Sequence, residues 1–231
     1  MSYLFCQQKA KFQFILEQKQ EDTPELIKGR YFHDEAAKFW EKIDYNSLAQ
    51  EKDLLSYFCS LLPKEEMFRN LAGFEVKRYE MLKDKSLFKP FIIESRFESK
   101  LSNTVGIIDR VEWLELNGEK IPLIVEYKTG KYKPTQLSKL RLELAFYARL
   151  LRETTEFKAN YGAVLFPVAN KTFFTKLQSV TFVSLDKKLN ELKNSIERNE
   201  FKISISPYTC GNCSFLEMCP AKEDLMNGDE K

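Results

Sequence analysis

Two acidic residues and a lysine lie on either side of a predicted hairpin turn. Asp109 is in the segment TVGIIDRVEWLEL, and Glu126 and Lys128 are in the segment KIPLIVEYK. The dipeptide Asn117-Gly118 between these segments favours a two-residue turn, because both residues tolerate the positive φ of a type I′ turn. The numbers of paired residues then add up to 235, which places Asp109 directly opposite Glu126.

The facing carboxylates require a compensating charge. Opposed side chains in an antiparallel pair have Cβ atoms about 4.5–5.5 Å apart, so two like charges repel each other. Lys128 follows Glu126 by two residues and therefore lies on the same face of the strand. Carboxylate oxygens are also ligands that Mg²⁺ and Mn²⁺ prefer, and such a cation polarises a phosphodiester and activates a water molecule. The cluster therefore predicts metal-dependent phosphodiester hydrolysis.

An exposed salt bridge between Lys128 and one acid is the alternative interpretation, and for an arbitrary triplet of this kind it would be preferred. The flanking sequences VGIIDRV and PLIVE are strongly apolar, as is typical of buried strands. Charged residues in buried strands are rarely retained without a partner or a function. The flanks therefore favour the catalytic interpretation.

The elements that position these residues follow from the sequence pattern. Residues 34–62 and 64–83 are rich in helix-forming residues and only Pro63 interrupts them, which predicts two helices. Further helices are predicted at 137–153 and at Leu185–Asn199. The β-branched and aromatic runs that predict strands are 91–99, 104–116, 120–128, 159–168 and 172–183. This order of elements predicts an α/β fold, with helices packed against one sheet.

The segments GIIDRVEW and IVEYKTGK resemble the motifs of the RecB-like branch of the PD-(D/E)xK nuclease superfamily, which have the forms G-x-x-D-R and (D/E)-Y-K-T-G-K. The resemblance implies a restriction-endonuclease-like mixed sheet flanked by helices. It also implies that Asp109, Glu126 and the backbone carbonyl of Tyr127 bind Mg²⁺ or Mn²⁺. Lys128 is then the catalytic lysine.

Two further motifs of that family have counterparts in the chain. His33, the only histidine, lies in GRYFHDEAAKFW and matches the upstream histidine that binds the metal in RecB-like nucleases; alone, it would be interpreted as a surface histidine. The family motif Q-x-x-x-Y is matched by Tyr147, but Glu143 replaces the glutamine. An i, i+4 spacing places both on one helical face. Whether Glu143 contacts the site or is an ordinary polar-face residue stays open.

Three cysteines near the C-terminus have the spacing C-x2-C-x5-C and could bind one metal centre. These are Cys210, Cys213 and Cys219. Cys6 and Cys59 are the candidates for a fourth ligand, and four thiolates suit either zinc or an iron-sulfur cluster. The spacing resembles that of the iron-sulfur subgroup of RecB-like nucleases, which includes CRISPR-associated adaptation exonucleases and AddB-type repair nucleases. This resemblance implies a 4Fe-4S cluster bound through Cys6, with Cys59 as a small buried hydrophobe.

A basic segment follows the proposed site. Residues 127–152 contain seven lysines and arginines against one acid, Glu143, although the whole chain carries a formal charge of only +2. Such a segment would attract a phosphate backbone, and Tyr127, Tyr132 and Phe146 would stack on unpaired bases if they were exposed. For Phe146, a place in the core is preferred. No helix-turn-helix or zinc-finger pattern indicates sequence-specific binding to duplex DNA.

Composition excludes several other classes. The chain has 231 residues, of which 43% are hydrophobic, so it is long and apolar enough to fold. The P-loop pattern G-x-x-x-x-G-K-[ST] is missing, so we expect neither a nucleotide cofactor nor a motor. No apolar run is long enough to span a bilayer and no signal peptide is recognisable, so we expect a cytoplasmic protein without membrane association.

These observations predict a metal-dependent DNA exonuclease that acts on single strands or DNA ends in CRISPR adaptation, with CRISPR integration proteins as partners. A repair nuclease and a catalytically idle DNA-binding subunit are the alternatives. Three regions are expected. These are a helical region at 1–86, the nuclease core at 87–202, and a cysteine cap with an acidic tail at 203–231.

Overall fold

The computed structural model describes residues 6–19, 22–205, 210 and 213–223. These residues form two compact units, one of which is Glu25–Phe182. The other combines the described parts of Met1–Pro24 and Val183–Lys231. The predicted acidic tail lies outside the described residues. Within the described part of the chain, no helix has both the length and the apolar character that crossing a membrane requires.

The N-terminal half of the larger unit is helical, as predicted, but its boundaries differ. Its helices are α2 (Pro24–Lys42), α3 (Leu54–Leu61) and α4 (Glu66–Met81), and α1 (Gln7–Ala10) belongs to the smaller unit. The single helix predicted over 34–62 is wrong. Asp44 ends the first part, because its side chain accepts a hydrogen bond from the backbone N–H of Asn46 and holds a turn. Asp53 then caps α3 by accepting from the N–H of Ser56.

The remaining elements form a five-stranded mixed sheet. The strands are β1 (Ile92–Ser99), β2 (Thr104–Leu116), β3 (Glu119–Tyr127), β4 (Tyr161–Phe166) and β5 (Lys171–Lys176), and they lie side by side in this order. Only the pairing of β3 with β4 is parallel. Helix α5 (Leu137–Thr154) connects these two strands. The predicted fold class, a mixed sheet flanked by helices, is confirmed.

The last predicted strand is only partly correct. Strand β5 ends at Lys176, and the following apolar residues begin α6 (Ser179–Arg198) instead of extending a strand to residue 183. A short apolar run does not distinguish a strand from a helix by itself. Here the backbone N–H of Thr181 donates to the carbonyl of Gln178 and starts the helix. Helix α6 therefore begins six residues before the predicted Leu185.

The predicted hairpin is confirmed in both turn and register. Asn117 and Gly118 have φ angles of 52° and 82°. The pairs from Leu116 with Glu119 to Arg110 with Val125 all follow the predicted register. The next residue on each strand beyond this ladder is Asp109 on β2 and Glu126 on β3.

The sheet lies between two layers of helix within the larger unit. Phe32, Phe68 and other apolar residues of α2–α4 form a cluster with Leu123, Val125 and Tyr127 of β3. Helix α5 packs on the opposite face. A Cβ on Gly106 of β2 would lie 3.0 Å from Leu150 Cδ2. The glycine of the G-x-x-D-R motif thus allows α5 to approach the strand that carries Asp109.

Candidate active site

Three side chains from three different elements meet beside Asp109, in the middle of β2. The possible metal-ligating atoms of His33 on α2, Glu94 on β1 and Asp109 on β2 all lie within 4.8 Å of one another. His33 Nδ1 lies 2.9 Å from Glu94 Oε1 and 3.4 Å from Asp109 Oδ1. His33 therefore lies beside the carboxylate to which the sequence assigned it. Among the described residues, no other histidine, cysteine or carboxylate side chains form so tight a group of three.

Asp109 is buried and fixed in position. The backbone N–H of Tyr127 donates a hydrogen bond of 2.7 Å to Asp109 Oδ2, and only 6% of the residue is exposed. Burial raises the pKa of Asp109, although the neighbouring His33 opposes this effect. A negative charge on Asp109 is therefore costly unless a cation lies nearby.

Glu126, Lys128 and Glu143 form the second part of the site. Lys128 Nζ lies 2.5 Å from Glu126 Oε1 and 3.2 Å from Glu143 Oε1. Burial lowers the pKa of Lys128, but the charges of Glu126 and Glu143 outweigh burial and raise it, so the lysine remains an ammonium. Burial also raises the pKa of Glu126 well above its ordinary value. Glu143, which replaces the family's glutamine, thus contacts Lys128.

Tyr147 completes the group from α5, one turn after Glu143. Burial raises the pKa of Tyr147, and the charges of Glu126 and Glu143 raise it further. Its hydroxyl is therefore neutral and can donate a hydrogen bond. The predicted side chains of the site thus lie near one another, since Lys128 and Tyr147 interact with Glu126, Glu143 and Asp109, and His33 contacts Asp109.

The donor set fits a divalent cation. Carboxylate oxygens and an imidazole nitrogen are ligands that Mn²⁺ accepts, and Mg²⁺ accepts the carboxylates. Glu126 Oε2 is buried and has no hydrogen-bond partner among the described residues. A buried carboxylate oxygen without a donor is costly, and a bound cation would remove that cost. The sequence prediction would place the ion between His33, Asp109, Glu126 and the carbonyl of Tyr127, and of these His33 and Asp109 belong to the tight group of three.

Glu94 is the member of this group that the sequence interpretation missed. Strand β1 pairs with β2 so that Ile93 faces Arg110 and Ser95 faces Ile108, which leaves Glu94 opposite Asp109. The acid in FIIESRFES was a signal, because it interrupts an apolar strand beside the acidic strand. No turn signal fixes the register of β1 against β2, however, so the sequence could not align Glu94 with Asp109.

The opposite face of β2 carries a second buried charged group, which is built differently. Arg110 Nη1 donates to Glu75 Oε1 at 2.7 Å, and Arg110 Nε lies 2.9 Å from Glu112 Oε2. Arg78 Nε lies 2.9 Å from Glu112 Oε1. The two Nε contacts are close charge pairs without the alignment of a hydrogen bond. This group binds α4 to the sheet.

Tyr127 does not meet the condition for stacking on unpaired bases, which is an exposed ring. Tyr127 is 3% exposed and its hydroxyl accepts a hydrogen bond from Arg110 Nη1. Side chains alternate along a strand, so Glu126 faces the site and Tyr127 faces the core. Phe146 is also buried, as preferred from the sequence, and Tyr132 packs edge-on against Phe166. Tyr127 contributes its backbone to the site, and its ring belongs to the core.

Four cysteines line one small cavity in the smaller unit. They are Cys6, Cys210, Cys213 and Cys219. Phe12 and Phe215 line the same cavity, and their rings pack at 5.7 Å. Burial raises the pKa of the Cys219 thiol, and the other three cysteines raise it further. Cys59 lies in α3 of the larger unit and is not among them.

Comparison with known proteins identifies the class to which this fold and site belong. The family model described as the PD-(D/E)XK nuclease superfamily matches residues 1–220. The chain therefore belongs to this superfamily, whose members are nucleases that hydrolyse phosphodiesters with divalent metals such as Mg²⁺ or Mn²⁺. DNA is the substrate that membership implies.

A search of curated proteins found no match. Among solved structures, the one described as "Crystal structure of SSO0001" is similar to this chain, with 17% sequence identity over 77% of this chain and 79% of that chain and a TM-score of 0.34.

Proposed function

We propose that this protein is a divalent-metal-dependent DNA exonuclease that acts on single strands or DNA ends. The observation that carries the proposal is the group of two buried carboxylates, Asp109 and Glu126, with the half-buried Lys128 paired to Glu126 and His33 Nδ1 only 3.4 Å from Asp109 Oδ1. Buried carboxylates in excess of their cationic partners fit a cation site better than a salt bridge.

The chain's own residues have separable roles in this proposal. A bound Mg²⁺ or Mn²⁺ supplies Lewis acidity toward a phosphodiester and lowers the pKa of water. His33, Asp109 and Glu126 hold the ion, and the N–H of Tyr127 fixes the orientation of the Asp109 carboxylate. Lys128 stays protonated because two carboxylates surround it, so it can stabilise negative charge on the phosphate. Tyr147 can donate a hydrogen bond to the same region.

Features around the site support single strands or ends as substrate. The basic segment 127–152 begins at the catalytic lysine, and its Lys131 is exposed. Backbone attraction of this kind does not depend on base sequence. The sequence carries no module that reads duplex DNA, which favours a substrate recognised by its backbone and its free end.

We assign a 4Fe-4S cluster to the cysteine cavity and a role in CRISPR adaptation to the protein. The convergence of Cys6 with the three C-terminal cysteines supports the cluster. Four thiolates suit a cubane cluster, in which each thiolate binds a separate iron, and the resemblance of the C-x2-C-x5-C spacing to iron-sulfur nucleases favours this cluster over zinc.

DNA cleavage tests the proposal. Labelled linear single strands, circular single strands and blunt duplexes are incubated with Mn²⁺ or with EDTA. We expect Mn²⁺-dependent shortening of linear strands, little cleavage of circles, and no activity of Lys128→Ala. Lys120→Ala is the matched control, because Lys120 lies on the same strand with an exposed side chain paired to Asp84. Equal cleavage of circles would replace the exonuclease with an endonuclease, and full activity of Lys128→Ala would overturn the site.

One observation favours a second candidate, a catalytically idle DNA-binding subunit. Lys128 is shared between Glu126 and Glu143, so Glu143 competes for the ammonium that the reaction needs. Glu143→Gln restores the family's amide. If the protein is an active nuclease, this variant keeps its activity or exceeds it by a few fold. An inactive wild type that Glu143→Gln converts into an active nuclease would establish the idle subunit.

Iron analysis tests the cluster. Protein purified without oxygen should be brown and contain about four irons per chain. Cys6→Ser should lose most of the iron and Cys59→Ser should keep it, because only Cys6 lines the cavity. One zinc per chain in colourless protein would replace the cluster with a zinc site.

A further inference from the structure

Glu94 has a backbone conformation that its residue type disfavours. Its φ is 40°, although it lies within strand β1 between residues that pair regularly with β2. A residue with a Cβ in the left-handed region pays a conformational cost, and such residues persist where the surroundings or the function require them. A favourable contact accompanies this conformational cost, because the Glu94 carboxylate lies within hydrogen-bond distance of His33 Nδ1.

Glu94 and Asp109 contact the same nitrogen atom of His33. The same ring nitrogen, Nδ1, lies 2.9 Å from Glu94 Oε1 and 3.4 Å from Asp109 Oδ1. If Asp109 and His33 hold one ion through these atoms, Glu94 Oε1 lies at the edge of the same space. Ligands of one octahedral ion at about 2.1 Å are about 3–4.2 Å apart, which agrees with a group whose atoms all lie within 4.8 Å of one another.

We propose that Glu94 is a third metal-binding carboxylate, which binds the same divalent cation as His33 and Asp109. This inference rests on the proposed metal-dependent function and adds a ligand from β1 that neither the sequence motifs nor the family match assigns. With Glu94, each of the first two strands contributes one carboxylate and β3 contributes Glu126. The cation then links three neighbouring strands and helix α2.

A positioning role for Glu94 is the competing explanation, and the two differ in one variant. Carboxylates often orient a metal-binding histidine by accepting the hydrogen bond of its other ring nitrogen. Glu94→Gln keeps the shape of the side chain and an oxygen that can accept from His33. A positioning residue therefore tolerates this change, whereas a ligand loses the charge that attracts the cation.

Binding of Mn²⁺ in the absence of DNA tests the inference, measured by the loss of the free-ion electron paramagnetic resonance signal. We expect Glu94→Gln to weaken Mn²⁺ binding at least tenfold, as Asp109→Asn does, and Glu94→Asp to retain part of the affinity. Glu98→Gln is the matched control, because Glu98 is an exposed acid on the same strand and pairs with Arg96. It should bind Mn²⁺ as the wild type does.

The outcomes separate this inference from the proposed function. Wild-type affinity in Glu94→Gln, together with loss of binding in Asp109→Asn, would overturn the Glu94 ligand and leave the nuclease site intact. If the wild type binds no Mn²⁺, both the ligand and the metal-dependent function are overturned. A wild type that binds Mn²⁺ through Glu94 but cleaves no DNA would support the ligand and contradict the nuclease proposal.

Discussion

The two faces of the β2–β3 hairpin each carry a charged cluster, and adjacent residues of the same strand contribute to both. The ion-pair cluster, on the face toward α4, consists of Glu75, Arg78, Arg110 and Glu112. The active-site cluster, on the opposite face, consists of His33, Glu94, Asp109, Glu126, Lys128 and Glu143. Asp109 and Arg110 are neighbours in sequence and belong to different clusters because side chains alternate along a strand.

The clusters differ in charge balance. The ion-pair cluster has two arginines for two carboxylates. The active-site cluster has four carboxylates for one lysine and one histidine. Burying a charge is costly unless a partner compensates it, so a balanced cluster is compatible with a structural role and a cluster with more carboxylates than cationic side chains is compatible with a bound cation.

Breaking the ion-pair cluster should have the largest effect on stability. Arg110→Met leaves Glu75 and Glu112 buried without their main partner, so we expect the free energy of unfolding to fall by about 3–5 kcal/mol. Urea denaturation measures it. Arg96→Met is the control, because Arg96 is exposed on the neighbouring strand, and its cost should stay below about 0.5 kcal/mol. A loss below about 1 kcal/mol for Arg110→Met would show that the cluster is not structural.

The active-site cluster should respond in the opposite way. Asp109→Asn keeps a side-chain oxygen that can accept the hydrogen bond from the Tyr127 N–H. It removes a carboxylate whose negative charge is costly in this buried position, as the raised pKa of Asp109 indicates. We expect the unfolding free energy without metal to be unchanged or higher. Cleavage of DNA should fall by about 10²–10³-fold, the usual loss when one group that stabilises the transition state is removed. A variant that is both destabilised and fully active would remove the distinction between the clusters.

The sequence predicted the parts of this arrangement that local signals determine. The turn at Asn117-Gly118 determines the register, and in this register Asp109 and Glu126 are the next residues beyond the last pair of the ladder, Arg110 with Val125. The position of Glu94 in the site could not be predicted in the same way, because β1 and β2 are joined by a turn without a diagnostic dipeptide. The direction of the Glu94 side chain also depends on an unusual φ. Long-range contacts of this kind depend on tertiary packing, which sequence spacing does not report.

The errors have similar physical causes. Stacking by Tyr127 depended on an exposed ring, but the alternation of side chains along β3 directs this ring into the core. The helix expected over residues 34–62 is interrupted because Asp44 and Asp53 bond to nearby backbone N–H groups. Both aspartates are short polar residues, which favour turns and helix caps. The sequence interpretation gave more weight to the helix-forming composition of the segment than to this signal.

Replacing Glu94 with glycine should change the free energy of unfolding less than Arg110→Met does. Glu94→Gly removes the cost of a left-handed φ at a residue with a Cβ and the repulsion with Asp109, but it also removes the contact with His33 that stabilises the fold at low pH. At pH 9 we therefore expect the metal-free protein to gain about 1 kcal/mol of unfolding free energy. Mn²⁺ binding should weaken in the same variant. Glu98→Gly, in the regular part of β1, should instead lose about 0.5–1 kcal/mol. Equal losses at both positions would show that Glu94 carries no strain.

The smallest expected effect is a pH dependence that the ion-pair cluster does not share. Burial lowers the pKa of His33, but the hydrogen bond with Glu94 and the charge of Asp109 outweigh burial and raise it in the folded protein. Protonated His33 therefore stabilises the metal-free fold, fully at pH values below its unfolded pKa, and this contribution disappears as the pH rises through the folded pKa. His33→Gln should cost more stability at pH 6 than at pH 9, measured by urea denaturation in EDTA.

Addition of Mn²⁺ should reverse this trend and thereby test the comparison between the clusters. Metal binding requires a neutral imidazole and ionised carboxylates, so protons compete with the ion and the stabilisation by Mn²⁺ increases with pH. His33 is the only histidine of the chain, so the difference between wild type and His33→Gln reports on this one imidazole. If the difference has the same pH dependence in EDTA and in Mn²⁺, the imidazole does not exchange its proton for the cation, and His33 is a salt-bridge partner of Glu94 and Asp109 only.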